Sequence, residues 1–157
     1  MLAGETPNIF DPRFGGGALR DLGIYCIHAL LALAGPPQQV SVASVPIRTG
    51  ADGLGTILAT YDGFVADLHY SKITSGEQPS VIQGEDGTLL VDEIDAPRTI
   101  TLVPRGGSPE VTRVQGPENP LEGEVHRFAA LVRGEDDAAD DNAATRQALA
   151  IIAQAAG

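Results

Sequence analysis

Asp21, Gly23, Tyr25 and His28 lie in the stretch Gly15-Gly-Gly-Ala-Leu-Arg-Asp-Leu-Gly-Ile-Tyr-Cys-Ile-His28. On a helix, Asp21, Tyr25 and His28 fall at i, i+4 and i+7 and share one side. A carboxylate, a phenol and an imidazole are then presented together, and a tyrosine so placed can exchange a proton with a substrate hydroxyl. An unaided phenol keeps its proton up to a pKa near ~10, so acid–base work near neutrality needs a cation to stabilise the phenolate. No residue close in sequence offers one, so something outside this chain has to supply it. Against this chemistry stands a plainer reading: D-x-G-x-Y is a common string, and a tyrosine on a buried helix ordinarily packs with its hydroxyl satisfied. Gly23 costs about 1 kcal/mol in mid-helix relative to alanine, which marks the close approach of another backbone or of a ligand. The Gly15–Gly17 run has neither phosphate-loop spacing nor a preceding strand, so nucleotide binding there is rejected.

The helix that carries these residues is predicted from about Ala18 to Ala34, stopped by Gly35 and then Pro36-Pro37. Leu19, Leu22, Cys26, Leu30 and Leu33 give it an apolar stripe, widened by Ile24, Ile27 and Leu31. Residues 1–17, with two prolines and three consecutive glycines, read as an extended lead-in. From Val40 onward the period changes to alternation. Strand-like segments (Val40–Ile47, Thr56–Tyr61, Phe64–Ile73, Ser80–Gln83, Thr88–Val91, Thr99–Val103 and Glu110–Val114) are separated by Gly- and Asp-rich turns. Hairpin-length connections make the sheet antiparallel and leave no room for parallel βαβ units. Helical spacing returns over Glu122–Arg133 and, after an acidic link with Asn142 as cap, over Ala143–Ala156. The fold class is therefore α+β, an open antiparallel sheet of about six or seven strands with helices on one face. Residues 18–157 form one domain after the lead-in.

Composition narrows the partners. The net charge of -11 repels phosphate backbones and anionic headgroups, so neither nucleic acid nor membrane is expected as a partner. The longest apolar run, Ile24 to Ala34, is too short to span a bilayer. The first 17 residues lack the apolar segment of a signal peptide. The single cysteine, Cys26, excludes an internal disulfide and fits a reducing cytoplasm, and no Cys/His cluster has metal-ligand spacing. Lys72 is the only lysine; it could be proposed as a substitute cation for the phenol, but on a predicted strand it is expected to be solvated.

The string GGGALRDLGIYCIHALLALAGPPQQVSV resembles the start of the C-terminal domain in the glucose-fructose oxidoreductase, inositol dehydrogenase and rhizopine-catabolism family, Gfo/Idh/MocA. Within it, GGGAL-x-D-x-GIYC is most similar to dimeric dihydrodiol dehydrogenases and glucose-fructose oxidoreductases. Two later segments are similar to the family as well: Val81-Ile-Gln-Gly-Glu-Asp-Gly-Thr-Leu-Leu-Val91-Asp to its G-x-x-G hairpin, and Glu124-Val-His-Arg-Phe128 to its late helix. The resemblance implies an NAD(P)-dependent oxidoreductase acting on CH–OH groups of a sugar, polyol or diol. It also implies that Tyr25 is the acid–base group, Asp21 its hydrogen-bonding neighbour, and His28 and Gly23 substrate contacts. Subunits of the family commonly pair through the open face of the sheet, so a homodimer is implied too.

The family holds NAD or NADP in an N-terminal Rossmann domain and takes its active-site lysine from an E-K-P motif. The 157 residues contain neither. The implied partner is a Rossmann domain in cis or in trans, and the chain by itself is expected to bind no cofactor and to be inactive. The alternative is a non-catalytic dimerisation or ligand-binding module that kept the fold without the cofactor-binding half.

Overall fold

The computed structural model describes residues 6–116, 119 and 121–156. The chain divides into two compact units, Met1–Ser75 with Asp140–Gly157, and Gly76–Ala139.

In the first unit, two 3₁₀ turns, Asn8–Phe10 and Pro12–Phe14, replace the extended lead-in expected over 1–17, of which residues 1–5 lie outside the described residues. Asp11 accounts for the difference. Its carboxylate accepts the Arg13 backbone N–H at 2.9 Å and the Arg13 guanidinium at 2.6 to 3.1 Å, closing the second turn as an N-cap does. The predicted helix then forms, opening with a π turn over Leu19–Gly23 and continuing as α1 (Ile24–Ala34). Gly35, at φ 70°, stops it and donates its N–H to Leu31 O at 2.9 Å.

Of the apolar residues expected to face inward, Leu19, Ile27 and Leu30 are buried with Gly23 between them, Leu22, Ile24 and Leu31 pack partly buried against the core, and Leu33 is 66% exposed. The helical run Pro12–Ala34, 23 residues with mean hydropathy 1.4, is long and apolar enough to cross a bilayer, longer than the apolar run in the sequence suggested. Its inward stripe is instead packed into a protein core.

That core forms against a meander of β1 (Gln39–Pro46), β2 (Asp52–Thr60) and β3 (Val65–Ser71), with β2 central and Val42, Ile57 and Leu68 in register. Residues of β2 alternate strictly between buried and less buried, the period of a strand covered on one side. Ile57 and Tyr70 join Ala18, Leu19 and Ile27 of the helix with Ala148, Ile151 and Ile152 of α3 (Ala139–Ala156). The Tyr70 ring fits only because two glycines flank it. A Cβ on Gly23 would stand 3.4 Å from the ring, and one on Gly55 2.3 Å from the phenol oxygen. α3 starts four residues before the predicted Ala143, because Asp137 Oδ1 accepts the Ala139 N–H at 2.8 Å. Asp140 and Asp141 thereby become first-turn carboxylates, where the helix dipole favours them, and Asn142 lies inside the helix rather than capping it.

β3 stops short of Ile73. Ser71 Oγ accepts the N–H groups of Ile73 and Thr74 at 3.2 and 2.9 Å, bending the chain out of the ladder. Among the described residues, seven strands form two antiparallel sheets rather than one. The second unit holds the other sheet, a meander of β4 (Ser80–Gln83), β5 (Gly87–Val91), β6 (Thr99–Pro104) and β7 (Glu110–Arg113). Gly84 N–H to Gly87 O at 2.8 Å closes its first hairpin. α2 (Glu122–Arg133) follows with the predicted bounds and ends at Gly134, φ 70°. Its apolar row, Val125, Phe128 and Val132, is exposed.

Candidate functional site

Asp52, the first residue of β2, anchors the start of the site helix. Its Oδ2 accepts the Leu19 N–H at 2.6 Å, supplying from a strand the capping acceptor that the helix start lacks. The 3₁₀ segment before it is held from another side, where Thr49 Oγ1 donates to Phe10 O at 2.6 Å. The Arg13 guanidinium hydrogen-bonded to Asp11 keeps that carboxyl below its ordinary range.

Lys72 corrects the sequence reading most sharply. Its side chain is only 6% exposed rather than solvated, and its ammonium forms an ion pair with Asp21 Oδ2 at 2.6 Å. It also donates to Ile9 O at 3.0 Å and lies 5.4 Å from the centroid of the Phe10 ring, within cation–π range. Asp21 itself remains half exposed at the other end of the pair. Lys72 thus reaches Asp21 from 51 residues further along the chain, while Tyr25, whose phenolate needed a cation, lies outside the depression that this pair lines.

Asp21, Lys72, Arg20, Asn8, Gly15 and Gly16 line a depression of about 250 Å³, with Ile9 and Phe14 completing its wall. A larger one of about 500 Å³ lies in the second unit over Ile82, Leu89 and Leu102, with Glu85 and Asp86 at its rim. It is the bigger space, but no cation lines it, whereas Arg20 and Lys72 line the smaller beside Asp21, so the chemistry points to the smaller.

Asp21 falls midway between buried Leu19 and Gly23, and Tyr25 midway between buried Gly23 and Ile27. Both therefore sit at the same phase, on the outward side of the helix, and Tyr25 is 56% exposed. His28 is half-buried and, like Tyr25, outside the lining of the depression. Gly23 faces the other way. It is buried, with a Cβ position 3.1 Å from Leu19 Cδ1 and 3.4 Å from Tyr70, so its missing side chain is used for helix–sheet packing. The close approach read from the sequence is that of a ring. Cys26 also faces the sheet, its Sγ 3.7 Å from His69 O.

Three comparisons with known proteins bear on this arrangement. Residues 2–90 match the family model described as the GFO/IDH/MocA C-terminal domain. Over 131 residues, 83% of this chain and 40% of the relative, the sequence is 36% identical to scyllo-inositol 2-dehydrogenase (NADP(+)) IolU of Bacillus subtilis. It is 28% identical over 101 residues to trans-1,2-dihydrobenzene-1,2-diol dehydrogenase of Mus musculus, covering 62% of this chain and 30% of that enzyme. Among solved structures, UDP-N-acetylglucosamine 3-dehydrogenase GnnA of Acidithiobacillus ferrooxidans aligns over 93% of this chain and 48% of its own, with TM-score 0.72 and 23% identity. Aldose-aldose oxidoreductase of Caulobacter crescentus aligns over 98% and 49%, with TM-score 0.73 and 16% identity. The chain spans half or less of the length of each of these proteins.

Proposed function

This chain belongs to the GFO/IDH/MocA family, and from that premise we propose that it is the substrate-binding and dimerisation half of an NAD(P)-dependent oxidoreductase acting on a CH–OH group of a sugar, polyol or diol. The observation that carries this reading is Asp21, fixed by a buried lysine at the wall of a small polar depression, on a helix whose next turn exposes Tyr25 at the same phase.

In this reading Tyr25 exchanges the proton of the reacting hydroxyl. Asp21, its carboxylate oriented by Lys72, accepts hydrogen bonds from a substrate hydroxyl, and the fixed charges act without reorganising. His28, one turn on, is a further polar contact. Gly23 acts indirectly, setting how closely the helix lies on Tyr70. The nicotinamide nucleotide does not fit this chain's own residues. The glycine run follows a 3₁₀ turn instead of a strand, which is not the turn that cradles a pyrophosphate. Its holder would be a separate Rossmann domain, in cis or in trans, in a cytoplasmic enzyme. With the enzyme assembled, Tyr25→Phe is expected to lower kcat by about 10²–10⁴-fold, the range of general acid–base catalysis, with cofactor affinity nearly unchanged. Steady-state turnover together with a cofactor titration checks this, and wild-type turnover would refute the role.

Homodimerisation belongs to the same reading. Val45, Leu58 and Val65 are exposed on the side of the β1–β3 sheet opposite its buried row, a mixed face that Thr56, Asp67 and His69 share, and core-apolar, rim-polar surfaces of this composition are what subunits pair through. Sedimentation equilibrium is expected to show a dimer, and a monomer at high micromolar concentration would count against it.

A further inference from the structure

The charges around the depression do not cancel. Lys72 and Asp21 neutralise each other at 2.6 Å, which leaves Arg20. Its helical neighbours three and four residues away are Gly16, Gly17, Gly23 and Ile24, so no carboxylate is available at the spacings where side chains on a helix meet. Room for its guanidinium comes from Gly15. That residue has φ +71°, and a Cβ there would come within 2.9 Å of Arg20 Nη1. An exposed arginine is thus laid along the wall of a polar depression with its donors uncommitted among the described residues. Asn8 adds an amide to the lining, and Phe14, 67% exposed, adds an apolar ring face.

We propose that Arg20 makes this depression a site for a polyhydroxylated molecule that carries a carboxylate or phosphate group. The guanidinium fork matches such an oxyanion with two parallel hydrogen bonds. Asp21 and Asn8 hydrogen-bond to the hydroxyls, and the carbon face of the ring lies against Phe14. The inference rests on the reading of Asp21 as a substrate contact and narrows it from sugars and diols in general to anionic ones. The chain's charge of -11 opposes an anionic ligand at long range. That field is screened beyond about 8 Å at physiological ionic strength, whereas the Arg20 contact operates at hydrogen-bonding distance.

The experiment is an NMR titration of the 157-residue chain at physiological salt, following the Arg20 Nε–H, the Asn8 side-chain amide and the Gly15 and Gly16 amides. The probes are glucose 6-phosphate, glucuronate, glucose, inorganic phosphate and NADP+. Glucose 6-phosphate and glucuronate should bind at least about tenfold more tightly than glucose. Arg20→Met should abolish that preference with the circular dichroism unchanged, and Arg20→Lys should restore part of it. Equal binding of glucose and glucuronate, insensitive to Arg20→Met, overturns the inference and leaves the substrate reading standing. Inorganic phosphate binding as tightly as the sugar phosphate, or NADP+ alone moving these signals, overturns the assignment to a sugar. No sugar, charged or neutral, moving them sinks both.

Discussion

The helix-backed unit and the four-stranded unit are both antiparallel meanders, with strands of 7 to 9 residues in the first and 4 to 6 in the second, and they bury very different amounts of apolar surface. Among the described residues, every buried hydrophobic except Val91 belongs to the first unit. There the sheet has a helix to cover one side, and Ile27 and Ile57 are fully buried between them. The second unit leaves Val81, Ile82, Leu102 and Val111 between 38% and 60% exposed. Sheet hydrogen bonding alone contributes little net stability, so the contrast shows where the fold is fixed. The candidate site is built in the unit that has a core, where packing holds the Leu19–Gly23 turn, Asp52 and Lys72 in place. A site meant to stabilise a particular geometry belongs on such rigid elements.

Paired truncations give the largest test of that contrast. Ile57→Ala removes a fully buried side chain next to Ile27 and Tyr70 and should cost about 2–5 kcal/mol. Leu102→Ala, in a strand 38% exposed at that position, should cost less than about 1 kcal/mol. Urea unfolding of both variants, with amide exchange to show which unit opens first, measures the difference. Equal costs would break the comparison and mean that the face of the second sheet is covered in solution.

The sequence was most legible where local rules act alone. The limits of the site helix and of α2 were readable from Gly35 and Gly134, and the Gly84–Gly87 hairpin from its turn residues. What was not legible depends on contacts between distant residues. The π turn over Leu19–Gly23 has no composition of its own, so the helix was expected to be α throughout. Ser71 ends β3 through its hydroxyl, a contact that strand periodicity does not reveal. Lys72 was the costliest miss, yet a signal existed. Leu68, Tyr70 and Lys72 alternate on one side of β3, and Tyr70 is buried, so a lysine continuing that row points toward the helix rather than toward water. Asp21 and Tyr25 were placed on one side from their i, i+4 spacing, and in the structure each lies halfway between two buried residues of the helix.

Alkaline titration offers a smaller effect that sharpens the same contrast, because all three tyrosines are in the first unit. Burial raises the phenols of Tyr61 and Tyr70, and the Asp52 carboxylate raises Tyr70 further. Tyr70 Oη is buried without a partner among the described residues, whereas Tyr61 donates to Gly35 O at 2.7 Å. A raised folded-state pKa means that the unfolded chain releases the proton first as pH increases. The stabilisation is then complete below the ordinary phenol value near ~10 and is lost as pH climbs from there through the folded-state value. Unfolding midpoints should therefore be level from about pH 8 to 9.5 as far as these groups are concerned and fall above about pH 10. The fall should be shallower in Tyr61→Phe/Tyr70→Phe, which has no proton to lose at either position. An identical fall in wild type and double variant would assign the alkaline sensitivity to groups other than these two phenols.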